Sequence, residues 1–193
     1  NGCHVHVSLW DRDTGGNLFL DERGDAGLSQ LAGRFLGGVL HSAPALCAVT
    51  NPTVNSYRRI NAPVTASGAT WSPNAVSYSG NNRTHMVRIP EPGRFELRLA
   101  DGSANPYLLA AAVLEAGLDG IANRRDPGRR LDVNLYVDRE TADSLPRLPD
   151  NLLDSLRALE DSTLLRDRLG PEFIAAYLKL KRTEWRAYAS HVS

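Results

Sequence analysis

With only two cysteines in 193 residues, Cys3 and Cys47, the chain has no basis for a disulfide framework. The expectation is a reduced, cytoplasmic setting, with a mature secreted chain as the alternative. No apolar run approaches the ~20 residues of a membrane span. The first residues lack the charged and apolar regions of a signal peptide. Neither sign of charge is in excess, since 22 Lys and Arg face 22 Asp and Glu. That balance argues against nucleic acid or a membrane surface as a general partner. Neither a P-loop nor a Rossmann glycine pattern occurs. A bound nucleotide would therefore be held by metal and arginine rather than by a glycine-rich loop. The chain starts at the edge of a motif-bearing strand with no initiator Met, and His191-Val192-Ser193 follows a helical pattern without a stop signal. The expectation is a fragment of a longer chain, cut at both ends.

What is present is chemistry gathered on strand faces. Side chains alternate along a strand, so in His4-Val5-His6-Val7-Ser8-Leu9 the polar residues share one face and the apolar ones the other. Arg94-Phe95-Glu96-Leu97-Arg98-Leu99 repeats the arrangement, with Arg94, Glu96 and Arg98 together. Two imidazoles, a carboxylate and two guanidiniums on rigid elements suit a metal ion and an anionic ligand. A salt-bridged ladder is the plainer reading of Arg94, Glu96 and Arg98. Exposed, it would contribute only ~0–1 kcal/mol per pair, and buried it would carry a heavy desolvation cost. A ligand explains three such groups better. The H-x-H pair alone also occurs in jelly-roll metal enzymes, but these carry a Glu a few residues on, where this chain has Trp10-Asp11. Further arginines stand nearby at Arg58, Arg59, Arg83 and Arg88, and arginine is the preferred fork for carboxylate and phosphate oxygens.

The remaining pattern reads as α+β, with antiparallel β-strands carrying the polar groups and helices covering their other side. Asp11 to Gly16 reads as a turn and Asn17 to Leu20 as the return strand of a hairpin. Leu28 to Leu40 has helical spacing, with Ser29 near its start and Pro44 and Asn51-Pro52 marking its end. Val54 to Ile60 is a short turn or helix, and Asn61 to Asn81 a long loop with Trp71 and Tyr78 embedded. Thr84 to Pro90 and the Arg94 strand form an antiparallel pair about Pro92-Gly93. Asn105-Pro106 caps an Ala- and Leu-rich helix through Ile121, apolar on most sides and therefore expected to be buried. From Pro149 onward two apolar stripes, separated by Gly170-Pro171, read as helices.

Taken in order, these residues resemble the catalytic domain of the glutamine synthetase family. The motifs are Gly2 to Leu9, Asn55-Ser56-Tyr57-Arg58-Arg59, Asn82-Arg83-Thr84, Arg88-Ile89-Pro90, Arg94 to Arg98, and Asp101 through Asn105-Pro106-Tyr107-Leu108 to Ile121. The resemblance implies an ATP-dependent ligase that phosphorylates the side-chain carboxylate of glutamate and lets an amine displace the phosphate. It implies His4 and Glu96 as ligands of Mg²⁺ or Mn²⁺, and Arg83 as the catalytic arginine on the transferred phosphoryl group. Arg59 and Arg98 become grips on the amino-acid substrate, and His6, Ser8, Arg88 and Arg94 contacts to the nucleotide and its phosphates. The implied partners are glutamate, a small amine or ammonia, and further copies of the full-length chain in a ring-type homo-oligomer. The implied domain is a partial catalytic domain spanning 1–193, without the family's N-terminal β-grasp domain and upstream metal-ligand segment.

Two departures shape the expectation. Ammonia-using members carry a Glu in the loop after the Ser-Tyr-Arg-Arg motif, where this chain places Trp71, and Asn61 to Asn81 contains no acidic residue. An aromatic there would line a pocket for an alkylamine or meet an alkylammonium by a cation–π contact. The same stretch resembles the type III-like branch that includes γ-glutamylmethylamide ligases, so methylamine or a similar amine is favoured over ammonia. One His and one Glu also cannot fill shells of about six ligands, so the chain by itself is expected to be inactive. A non-catalytic scaffold with the same fold is the remaining alternative.

Overall fold

The computed structural model describes residues 1–63 and 72–191. A four-stranded sheet is ordered β1-β4-β3-β2, from β1 (Val5–Val7), β2 (Tyr78–Ser79), β3 (Val87–Glu91) and β4 (Arg94–Leu97). β4 is antiparallel to both neighbours, as the alternating patterns imply, with Val5 opposite Leu97 and Val87 opposite the same residue. The sheet is nevertheless mixed, because Tyr78 and Ser79, expected in a loop, pair parallel with Val87 and Arg88. Asn17 to Leu20 does not form a return strand. It makes only isolated bridges, Trp10 to Asn17 and Leu20 to Leu28.

Eight helices follow among the described residues: α1 (Gln30–His41), α2 (Ala43–Thr50), α3 (Ser56–Ile60), α4 (Pro106–Ala122), α5 (Arg139–Ser144), α6 (Leu152–Asp161), α7 (Thr163–Leu169) and α8 (Pro171–Ala189). Ser29 caps α1 by accepting from the Ala32 N–H, and Asn105 caps α4 by accepting from Tyr107 and Leu108. Each such cap is worth about 1 kcal/mol. Pro44 does not close α1. It sits in the first turn of α2, where its missing N–H would have no partner anyway. Gly170-Pro171 does divide helices, but Ser162 makes a second break by capping α7. The six-residue α5 carries no apolar stripe that would announce it.

The apolar sheet face packs onto the helices. Phe95 stacks on Phe19 at 5.9 Å, and Phe19 meets Phe35 of α1 edge-on at 5.4 Å. Such pairs add about 0.5–1.5 kcal/mol beyond the area they bury. Val87, Ile89, Leu97, Leu36 and Val39 complete this part of the core. α4 lies against α1 at a distance set by glycine. A Cβ on Gly38 would come 2.0 Å from the Ala116 carbonyl oxygen, and one on Gly120 2.2 Å from that of Arg34. Both obstacles are backbone, so neither can swing aside. Gly120→Ala is expected to lower unfolding stability by at least the ~1–3 kcal/mol typical of overpacking, read by thermal melting. Contrary to the sequence expectation, α4 is not buried all round. Tyr107, Leu114 and Leu118 are 84%, 43% and 41% exposed.

Candidate active site

The pairing of β1 with β4 puts His6 directly opposite Glu96, and that of β3 with β4 puts Arg88 opposite the same residue. Residues opposite one another in a ladder project to one face. Glu96 therefore becomes the centre of a cluster on the face away from the phenylalanines. Its Oε1 lies 2.9 Å from His4 Nδ1, and its Oε2 2.9 Å from Arg88 Nε. Arg98 Nη1 donates to both oxygens at 3.2 and 3.3 Å. The Arg88 contact is an ion pair whose N–H is not aligned for a hydrogen bond. Glu96 is only 4% exposed and Arg98 3%, so this is the buried case, in which charges must be matched closely.

The cluster's electrostatics follow from that burial. Desolvation pushes the Glu96 carboxyl up, but Arg98, Arg88 and His4 together outweigh it and hold the group below the usual carboxylate range. Burial, helped by Arg98, lowers His4 below the ordinary imidazole value against the pull of Glu96. The balance favours the neutral imidazole, the form that can ligate a metal. Its Nδ1 and the Glu96 oxygen stand 2.9 Å apart. Adjacent corners of an octahedral Mg²⁺ shell with bonds of 2.0–2.1 Å are separated by about that distance. The pair therefore fits one edge of a divalent-cation site. Among the described residues no third His, Cys, Asp or Glu joins them, so the pair is part of a shell and not a whole one.

Arg59, on α3, reaches the same region from a different element. Its Nη1 donates to the Leu99 carbonyl at 2.8 Å and its Nη2 to that of Arg98 at 2.7 Å. It thereby ties α3 to the end of β4, with three of its five N–H donors outside these bonds. Gly2 leaves room for this approach, since a Cβ there would sit 2.8 Å from His4 Nε2 and 3.1 Å from Arg59 Nη2. Arg83 lies beside the cluster. It lines an adjoining cavity of about 510 Å³ with Asn82, Thr84, Asp132 and Asn134, and its charge is felt at Arg98.

The other residues expected at the site make their described side-chain contacts away from Glu96. His6 Nδ1 pairs with Arg94, which also donates to Glu91 at 2.6 Å. The Ser8 hydroxyl accepts from the Trp10 indole at 2.9 Å. Trp71 falls outside the described residues. Sequence reasoning missed two neighbours. Asp132 accepts from Ser79 and Gly80 and pairs with Arg130, forming one wall of the Arg83 cavity. The Tyr136 phenol is pushed up by burial, with Arg98 and Arg59 pulling it back. The alternation of Asp132, Asn134 and Tyr136 was the available signal, but they lie in irregular chain where alternation has no structural meaning.

A buried carboxylate flanked by two guanidiniums, with an imidazole 2.9 Å away, makes a site suited to both an anion and a cation on an α+β fold. The chain belongs to the glutamine synthetase catalytic-domain family, whose model matches residues 1–193. It is 58% identical to a glutamine synthetase of Rhizobium leguminosarum bv. phaseoli, over 99% of this chain and 44% of that protein. It is 45% identical to a glutamate–methylamine ligase of Methyloversatilis universalis, over 100% of this chain and 44% of that protein. A solved structure described as a GmaS/ADP complex superposes with a TM-score of 0.92 at 56% identity, covering 100% of this chain and 44% of its own. The chain thus spans less than half the length of these relatives.

Proposed function

We propose that the full-length protein is an ATP-dependent ligase joining a small amine, with methylamine favoured, to the γ-carboxylate of glutamate through a γ-glutamyl phosphate. The observation that carries the reading is the Glu96 cluster. Arg88 and Arg98 both face Glu96, and Arg59 stands beside His4 with the buried Asp101 carboxylate acting on it, so three guanidiniums face two carboxylates and the site carries surplus positive charge for anionic substrates. ATP and a divalent cation, when bound, supply the phosphoryl group and the neutralisation of its charge. His4 and Glu96 hold one edge of the cation's shell, Mg²⁺ or Mn²⁺, with the remaining ligands from elsewhere in the full-length protein. Arg59 and Arg98 receive glutamate. Arg83 faces the phosphoryl group in transfer, Arg88 and Arg94 its neighbours, and His6 and Ser8 the nucleotide. The exposed Tyr107, Leu114 and Leu118 of α4 are consistent with self-association into a ring. No described helix is long and apolar enough to cross a membrane, and a cytoplasmic location belongs to the same proposal.

The amine is argued from chemistry of the sequence. Asn61 to Asn81 holds no carboxylate to attract ammonium, and Trp71 supplies an aromatic face instead. The relationship to a named glutamate–methylamine ligase supports this. A second reading, ammonia, is favoured by the 58% identical relative named glutamine synthetase. Steady-state assays of the full-length protein with glutamate, ATP and each amine separate them. The expected result is a higher kcat/KM for methylamine than for ammonia. A kcat/KM for ammonia above that of every alkylamine tested gives the second reading.

A further inference from the structure

Arg58 and Arg59 are neighbours on α3, and successive helical positions point about 100° apart. Arg59 turns to the Glu96 cluster. Arg58 lines a separate cavity of about 440 Å³, together with Val54, Asp150, Leu152, Trp185 and Tyr188. The Trp185 and Tyr188 rings stand 5.6 Å apart, tilted by 46°, and form an aromatic wall. Leu152 supplies a fully buried apolar floor. Asn61 donates to the Asp150 carbonyl at 2.6 Å and holds the two rims together.

The charges are the informative part. Two nearby carboxylates are engaged: Glu184 with Lys181 and the Val54 N–H, Asp154 with Arg157. Arg58 and Asp150 both line this cavity, yet among the described residues neither side chain makes an ion pair or hydrogen bond. A simple anion would leave Asp150 unanswered and a phosphate would be repelled by it. A simple cation would do the same to Arg58. A zwitterion answers both, and the aromatic wall suits a flat apolar body between them.

We propose that this cavity is a second ligand site, for an α-amino acid with an aromatic side chain. Arg58 takes its carboxylate, Asp150 its ammonium group, and Trp185 with Tyr188 its ring. The test is calorimetric titration of the full-length protein with L-phenylalanine, in the presence of saturating glutamate so that any substrate site for amino acids is filled. Binding is expected, and Arg58→Gln and Asp150→Asn should each weaken it about tenfold to a hundredfold, the worth of one charge-assisted hydrogen bond. Phenethylamine and 3-phenylpropionate, each lacking one charge, should bind weaker by a similar factor. Both residues are exposed, and among the described residues neither side chain is paired, so the variants should melt with the parent protein. No heat of binding into the millimolar range, binding that glutamate displaces, or indifference to either variant overturns the assignment. The measurement needs no turnover, so it stands or falls separately from the ligase reading.

Discussion

Arg83→Ala in the full-length protein is expected to lower kcat by about a thousandfold or more, the range measured when a charge-stabilising arginine is removed from phosphoryl transfer. The KM for glutamate should move far less, because Arg59 and Arg98 are the residues proposed to receive glutamate, while Arg83 lines a neighbouring cavity with Asp132 and Asn134. Its setting is rigid. Asn82 beside it accepts from the Thr84 N–H at 3.0 Å and the Thr84 hydroxyl at 2.8 Å, and donates to the Val133 carbonyl at 2.9 Å. A guanidinium projected from a segment fixed at both sides loses little entropy when it meets a transferring group. Arg83→Lys should recover only part of the loss, since an ammonium keeps the charge without the planar fork. Steady-state and single-turnover rates check both variants. A fall in kcat of less than tenfold removes Arg83 from this role.

What could be read in advance was whatever strand alternation and helix capping encode. His4 and Glu96 could be placed on polar strand faces because period-two patterns survive folding unchanged. Their meeting at 2.9 Å required the β1–β4 pairing, which no local pattern specifies. The family resemblance, carried by ordered motifs, supplied that link. The parallel pairing of Tyr78 and Ser79 was illegible for a related reason: a two-residue strand has no period to detect. Pro44 misled because the same residue marks a helix's end or another's start, and only the chain direction after it decides. The polar roles of Arg59 were half visible. The resemblance implied a ligand grip for it, while its two bonds to the carbonyls of Arg98 and Leu99 depend on tertiary proximity. Tyr136 and Asp132 were missed because residues 131–138 have neither period, and side chains on irregular backbone carry no face.

Glu96→Ala should produce a large loss of stability, and the reason is what it leaves behind. Glu96 answers Arg98, which is 3% exposed, and Arg88. Without it two guanidiniums face each other in a space water barely reaches. Breaking a buried pair by removing one partner costs about 3–5 kcal/mol, because the stranded charge remains desolvated. Thermal and denaturant unfolding of the variant should show a loss of that size. Removing Arg88 as well should return part of it, since the repulsion then disappears with the second charge; a double-mutant cycle measures the coupling. Glu96→Gln keeps the shape and loses the charge, so it should be nearly as destabilising. The same substitutions test the metal edge independently of folding. At a temperature where the variant remains native, Mn²⁺ binding by the full-length protein should weaken for both Ala and Gln, because His4 alone cannot replace the anionic oxygen. Lost stability with unchanged Mn²⁺ affinity would make Glu96 a structural counter-ion for the arginines and move the cation elsewhere.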